Sequence, residues 1–593
     1  MNKAHKLVID LGPTVALLIG FLLLLPFTAK ATEQSGTRAR DTGEPIIDFG
    51  QRFQPIVGRQ GMVASPERLA AEIGTRIMRE GGNAIDAAVA TGFALAVTFP
   101  QAGNLAGGGF MLIHLAKGQT QTLIDYRETA PSDARRDMFL DTDGRVDQQR
   151  EYFSHQSAAI PGTVAGLLYA LDRYGTISRK RALAPAIALA RNGITVTWPL
   201  HQVIQARAEQ LAKNKEAARL FLQPDGSAPA VGSLWQQPDL AWTLQQISDA
   251  GVEGFYAGEV ASRIATDMAA HKGLITQQDL AGYRVVERPP VTGTYHGFEV
   301  VSTPPPSSGG VHILQMLNIL EGYDLQEMGH NSAAYIHYLA EAMKLAYADR
   351  SEYLGDPDFV DVPVAALTSK QYAEALRRSI QADRAKAASD IAPGKMLPKE
   401  SKDTTHYSVA DAAGNVVSNT YTLNFSFGSH IAIPGTGMLL NNEMADFAAS
   451  PGTANAYGLV QGEANRIEPS KRPLSSMSPT IVLRDGQPWL ATGSPGGSVI
   501  ITTVLQTILN AMTFNMNIAS AAAAPRVHHQ WQPDALRIEQ GVSPDTVKLL
   551  QTMGHAISLG GRTTGRTNSI MLEKGFLYGA TDPRRAGGWV AAF

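Results

Sequence analysis

No cysteine occurs among the 593 residues, so disulfides are excluded and the chain must bury a core large enough to hold without them. An apolar content of 44% is ordinary for a large globular chain of this kind. An excess of one charge is also missing. Lys and Arg number 51 against 54 Asp and Glu, a net charge of −3, which gives no reason to expect nucleic acid or an anionic membrane surface as a partner. The N-terminal apolar run, residues 15–27, is shorter than the ~20 residues a spanning helix needs. With Lys3 and Lys6 before it and Ala29-Lys30-Ala31 after it, residues 1–31 read as a signal peptide cleaved after Ala31 rather than a retained anchor. The mature chain is then exported, periplasmic or extracellular, with no stable membrane insertion. Residues 32 to about 54 read as a polar, mobile leader.

Several motifs lack the residues that would make them cofactor sites. The glycine run 103–109 precedes a strand rather than a helix and has no Gly-Lys-Ser/Thr, so it is not a phosphate cradle. Asp356-Pro357-Asp358 lacks the ligand spacing of a calcium loop. His528 and His529 would point to opposite faces of a strand. No metal and no cofactor is expected.

The pattern elsewhere is mixed helix and strand. Ser65 as N-cap and Pro66 at the first helical position open a helix that Gly81-Gly82 stops. Asn83 caps a second, residues 84–97, apolar almost all round and so destined for a core. Strands are expected at 110–115 and 123–126, helices within 161–191, 198–290, 311–320 and 335–353, and an exposed linker over 380–403.

The stretch that carries chemistry is Asp403-Thr404-Thr405-His406-Tyr407-Ser408-Val409, a turn at 411–415, then Val416-Val417-Ser418-Asn419-Thr420-Tyr421-Thr422-Leu423-Asn424. Thr, Tyr and Val in both arms around a Gly/Asn/Asp turn predict a β-hairpin. Alternation puts Thr404, His406 and Ser408 on one face, and Thr420, Thr422 and Asn424 on one face of the other arm. A hydroxyl-rich ribbon can be merely solvated. It can also present a nucleophile, since a Thr hydroxyl becomes reactive when a base adjoins it, as the α-amine of an N-terminal Thr does. That second reading requires a cut between Asp403 and Thr404, which the hairpin alone does not establish.

The motif Asp-Thr-Thr-His-Tyr-Ser-Val, followed by Asn424, Asn441-Asn442-Glu443-Met444, Arg472-Pro473-Leu474-Ser475-Ser476-Met477-Ser478-Pro479-Thr480 and Gly493-Ser494-Pro495-Gly496-Gly497-Ser498, resembles gamma-glutamyltransferase (gamma-glutamyl transpeptidase) over nearly the whole mature chain. The resemblance implies an α+β N-terminal-nucleophile hydrolase, an αββα sandwich of two stacked antiparallel sheets flanked by helices. It implies self-cleavage between Asp403 and Thr404 into a large subunit, 32–403, and a small one, 404–593, which remain together as a heterodimer. Thr404 becomes the nucleophile and Thr422 its hydrogen-bonding partner. Gly496 and Gly497 form the oxyanion hole. Arg127, Ser475 and Ser476 hold the α-carboxylate of a γ-glutamyl donor such as glutathione, while Asn424, Glu443 and Asp446 hold its α-ammonium. Tyr457 belongs to a lid. Ala445 stands where the family commonly has an acidic residue. The implied reaction transfers the γ-glutamyl group to water or to an amino-acid or dipeptide acceptor. A β-lactam or glutaryl acylase on the same scaffold is the alternative. An exported amino-acid-binding protein without turnover is a third reading, disfavoured by the Asp403-Thr404 junction, since binding needs no free N-terminal Thr.

Overall fold

The structure is a computed structural model that describes residues 53–391, 404–451, 461–560 and 565–593. The signal segment, the leader to residue 52, Asp403 and Tyr457 lie outside the described residues.

Two seven-stranded sheets form the centre, with every ladder in both antiparallel. In the first the order runs Trp589–Ala592, Gly61–Ser65, Thr405–Asp411, Val416–Thr422, Gly108–Leu115, Thr120–Tyr126, Val286–Arg288. In the second it runs Ile56–Gly58, Phe576–Thr581, Asn568–Glu573, Gln487–Thr492, Thr480–Arg484, Phe298–Ser302, Val291–Tyr295. Helices Arg68–Arg79, Ala84–Thr98, Thr163–Tyr174 and Arg179–Asn192 share one apolar core with the first sheet. Helices Gly309–Leu320, Ala333–Tyr353 and Val499–Met512 share the other with the second sheet. The expected αββα sandwich is what forms.

The hairpin occupies the middle of the first sheet, paired as His406 opposite Thr420 and Thr405 opposite Tyr421. Its two faces part in character. Outward, Tyr407 and Tyr421 donate their hydroxyls to the Ala88 and Gly92 carbonyls of the buried helix Ala84–Thr98, which starts in a capping box between Asn83 and Asp86. Inward, the polar row meets the second sheet. Ser408 Oγ donates to the Asn568 carbonyl at 2.9 Å and Ser418 Oγ to the Thr492 carbonyl at 3.0 Å. His406 hydrogen-bonds to Thr420 Oγ1 at 2.8 Å and Ser408 Oγ at 3.0 Å. It has room because position 493 is glycine, where a Cβ would sit 2.4 Å from the imidazole. Neighbouring strands fill the same layer with Met62, Ala64, Phe110 and Leu112. The hydroxyl-rich face is therefore not solvated. It is a buried, hydrogen-bonded seam between two sheets.

Two expectations need correction. Ser65 does not cap the first helix. It ends the strand Gly61–Ser65 by pairing with Trp589, and the helix starts three residues on, with the Glu67 carboxylate accepting from the Leu69 and Ala70 amides. The segment before the junction is not wholly exposed either. His337 hydrogen-bonds to the Gln381 carbonyl, Trp531 Nε1 donates to the Ala388 carbonyl at 3.0 Å, and Asp534 accepts the Ala388 amide at 2.8 Å. Ala388 and Ile391 are buried.

Candidate active site

Thr404 precedes the central strand Thr405–Asp411 and is buried, at 5% exposure. Its Oγ1 lies 3.3 Å from Thr422 Oγ1. Thr422 Oγ1 also accepts the Asn424 backbone amide at 2.8 Å. Asn424 sits at φ 72°, in the left-handed region that Asn tolerates better than most residues. Its side-chain Nδ2 donates to the Asn442 carbonyl at 2.9 Å, and Asn442 Oδ1 accepts from the Phe425 backbone amide. The end of the hairpin is thus fastened to the turn that carries the acidic residues.

That turn is a short 3-10 helix, Glu443–Asp446. It is braced from below by Asn441, whose side chain exchanges hydrogen bonds with Ala106, Ala159 and Glu443 backbone groups. Arg127, at the end of the strand Thr120–Tyr126, reaches both carboxylates. Nη1 contacts Glu443, Nη2 lies 2.5 Å from Asp446 Oδ2, Nη1 lies 3.3 Å from Glu128 Oε2, and Nε donates to the Pro473 carbonyl at 3.1 Å. Burial alone would lower the Arg127 pKa, but Glu443, Glu128 and Asp446 outweigh it and hold the guanidinium charged. Burial pushes all three carboxyls up, against the pull of Arg127, and repulsion from neighbouring carboxylates adds to it at Glu128 and Glu443; Glu128 reaches about 7. Glu443 Oε2 and Asp446 Oδ1 have no hydrogen-bond partner among the described residues.

The opposite wall is Ser475 and Ser476. Ser475 is held by its amide to the Pro306 carbonyl at 2.8 Å, so the loop Pro304-Pro305-Pro306 braces this wall. Ser475 Oγ accepts the Met477 amide at 3.1 Å, and Ser476 Oγ accepts from Arg350 Nη2 at 3.3 Å. With those acceptor positions used, both hydroxyl protons remain for a further acceptor such as a carboxylate.

Gly496 and Gly497 precede the buried helix Val499–Met512. At φ 135° and 59° they hold conformations that side chains oppose. They lie just before the N-terminus of that helix, the positive end of its dipole.

Thr404, Thr422, Asn424, Arg127, Glu443, Asp446, Ser475, Ser476 and Gly497 together line one small cavity. Gly496 adjoins it through the chain. The structure adds one residue that the sequence reading passed over, Arg350, on the helix Ala333–Tyr353. Among the described residues, two clusters have metal-ligand composition, and neither contributes to this cavity. In one, His155 Nε2 and His271 Nδ1 each contact the Asp267 carboxylate, at 2.9 and 3.3 Å. In the other, the Lys344 ammonium already pairs with Glu341 beside His337 and His555. His528 and His529 bond instead to Thr502 and Gln530, and to Asp534.

Comparison with known proteins places the chain in a family. The family profile described as Gamma-glutamyltranspeptidase matches residues 70–592. A glutathione hydrolase proenzyme of Escherichia coli (strain K12) is 52% identical over 544 residues, covering 91% of this chain and 93% of that protein. A cephalosporin acylase from Bacillus halodurans superposes with a TM-score of 0.82 at 28% identity, covering 93% of this chain and 99% of that one. The Helicobacter pylori gamma-glutamyltranspeptidase superposes with a TM-score of 0.54 at 46% identity, over 55% of this chain and 93% of that one. The chain belongs to the gamma-glutamyltranspeptidase family.

Proposed function

We propose that this protein is a self-processing gamma-glutamyltransferase with glutathione hydrolase activity, exported and matured by a cut between Asp403 and Thr404. One observation carries the reading. The Thr404 hydroxyl faces a cavity with two unpartnered carboxylate oxygens on one wall and two serine hydroxyls with donatable protons on the other. That is the negative of an amino-acid head group, ammonium on one side and carboxylate on the other, with the nucleophile beyond it.

In the uncut chain the Thr404 nitrogen is a peptide nitrogen and cannot act as base. The Thr404 hydroxyl adds to the Asp403 carbonyl, the C–N bond breaks to leave an ester with the α-amine freed, and water hydrolyses the ester to release the Asp403 carboxylate and the Thr404 hydroxyl. The products are a large subunit, 32–403, and a small one, 404–593. They stay associated because strands from both sides of the junction pair in each sheet, Ser408 with Ala64 in one and Thr480 with Ser302 in the other. The α-amine, with an ordinary pKa of about 7.7–8.0, then takes the Thr404 proton as Oγ attacks the γ-carbonyl of glutathione or a related donor. Thr422 donates to Thr404 Oγ1 and orients it. The Gly496 and Gly497 amides receive the oxyanion. The proton passes to the leaving amine, and water or an amino-acid acceptor releases the γ-glutamyl group from its Thr404 ester. Asn424, Glu443 and Asp446 face the donor's ammonium. Ser475 and Ser476, with Arg127, serve its carboxylate. Tyr457 serves as part of the lid.

The test is the intact mass of the wild type beside Thr404→Ala. Two wild-type fragments, the smaller beginning at Thr404, and an uncut variant are expected; a wild-type chain that stays whole while folded overturns the mechanism. The acylase reading is favoured by the cephalosporin acylase superposition over 93% of the chain. It predicts that a glutaryl anilide, which lacks the ammonium, is hydrolysed as fast as a γ-glutamyl anilide. Unpartnered Glu443 and Asp446 oxygens predict the reverse.

A further inference from the structure

We infer that Arg350 is a second carboxylate-recognition residue of the donor site, acting directly through Nη1 and indirectly by setting the Ser476 hydroxyl. The inference rests on the γ-glutamyl-donor reading above and assigns a residue to it that neither the motifs nor the hairpin indicate.

Arg350 is 2% exposed, on the last turns of the helix Ala333–Tyr353. Its Nε donates to Ser308 Oγ at 2.9 Å and its Nη2 to Ser476 Oγ at 3.3 Å. Nη1 has no hydrogen-bond partner, and no carboxylate among the described residues forms an ion pair with this guanidinium. A buried cation with no anion in contact is costly, by several kcal/mol in general; the Asp446 charge acts on Arg350 only from elsewhere on the same cavity wall, and such groups cluster where a ligand supplies the missing contact. The cavity that Arg350 lines is also the one beside Thr404. Arg127 differs on this point. Each of its three nitrogens is engaged, Nε by the Pro473 carbonyl, Nη1 by Glu443 and Glu128, Nη2 by Asp446. An arriving α-carboxylate must therefore compete for Arg127 with three resident carboxylates, whereas Arg350 Nη1 offers an N–H that nothing else accepts.

The second half of the assignment concerns hydroxyl direction. Arg350 can only donate. Its bond to Ser476 Oγ uses a lone pair there and turns the serine proton outward. Through Ser308, whose Oγ donates to the Ser475 carbonyl at 2.9 Å, it also fixes the backbone of the neighbouring serine. One guanidinium thereby sets the serine wall and adds a charged donor beside it.

The experiment compares three p-nitroanilide donors on self-cleaved wild type, Arg350→Gln and Arg350→Lys. They are γ-glutamyl, 4-aminobutyryl (no α-carboxylate) and glutaryl (no α-ammonium). A lost hydrogen bond to a charged group corresponds to about 10- to 100-fold. In Arg350→Gln the ratio of kcat/KM for γ-glutamyl to that for 4-aminobutyryl is expected to fall by about that factor, chiefly through KM. The glutaryl donor should fall alongside γ-glutamyl, and Arg350→Lys should lie between. An equal loss on all three donors overturns the inference and reduces Arg350 to a packing role. If Arg350→Gln fails to self-cleave, Arg350→Lys, which keeps the charge but not the fork, carries the same comparison. A wild type active on glutaryl and inert on γ-glutamyl overturns the transferase reading instead, and the glutaryl to 4-aminobutyryl ratio still decides the role of Arg350.

Discussion

The Tyr347 hydroxyl donates to the Ser498 carbonyl at 2.5 Å. The helix that carries Arg350 into the serine wall therefore also holds the Gly496-Gly497 loop, one turn further back. Ser498 follows Gly497 directly, so this bond anchors the end of that loop. Tyr347→Phe removes only the donor and strands a buried carbonyl, at a cost of about 1–3 kcal/mol. The expected result is a fall of about 10-fold in kcat for γ-glutamyl-p-nitroanilide with KM little changed, because the oxyanion forms only in the transition state. A rise in KM at constant kcat would remove Tyr347 from oxyanion support.

Thr422 tests the other side of the nucleophile. Its hydroxyl accepts the Asn424 backbone amide and lies 3.3 Å from Thr404 Oγ1. Thr422→Val keeps the β-branched shape that the central strand packs and deletes the hydroxyl. Both self-cleavage and turnover use the same attacking oxygen, so both rates should drop, each by about 10- to 100-fold for the loss of one well-placed hydrogen bond. Time-resolved fragment appearance and single-turnover acylation measure the two separately. Slowed turnover with normal self-cleavage would show that Thr422 serves the donor rather than Thr404.

The hairpin was legible because period-2 alternation, turn residues and β-formers agree over its whole length, and the resemblance supplied the chemistry of the inward face. Arg350 was not. In the sequence it sits in Ala-Asp-Arg-Ser at the end of a helix with Glu341, Lys344 and Asp349 at intervals, a pattern that reads as a solvated face. The helix is buried nonetheless, because each of those charges finds an internal partner. Glu341 meets Lys344, and Asp349 accepts from Gln315 and Tyr372. Pairing of the second kind is made by residues tens of positions away and leaves no local signal. Ser65 failed for a related reason. Ser-Pro is a sound helix start by local rules, but a cross-strand partner, Trp589, takes the serine into the sheet.

The Glu341–Lys344 pair gives a stability prediction. The groups lie 2.5 Å apart and are each 1% exposed. Lys344→Met leaves the Glu341 carboxylate buried without its cation, which costs about 3–5 kcal/mol in general, whereas replacing both partners by apolar groups is often far milder. Thermal unfolding should therefore rank the wild type and Glu341→Leu/Lys344→Met together, with Lys344→Met alone well below. Equal losses in the single and double variants would mean that the neighbouring His337 and Lys386 contacts, not the charge pair, hold this region.

His406 makes the acid side of the stability curve predictable. It is buried between the sheets, and desolvation drops its pKa from 6.5 to about 3. The unfolded chain therefore binds a proton near pH 6.5 that the folded chain refuses until about pH 3. The contribution is complete above pH 6.5 and is lost as the pH falls through that window, with a slope of up to about 1.4 kcal/mol per pH unit. Glu128 works in the opposite sense: burial raises it to about 7, so the folded state gains its proton first and that contribution grows as the pH falls below 7. Absolute stability mixes the two, and a single-site difference separates them. The melting temperature of wild type minus that of His406→Asn should shrink steadily from pH 6.5 to pH 4, since the variant has no such proton to exclude. Parallel curves for the two proteins across that range would show that His406 is protonated in the fold, with Thr420 and Ser408 accepting from an imidazolium rather than sharing hydrogen bonds with a neutral ring.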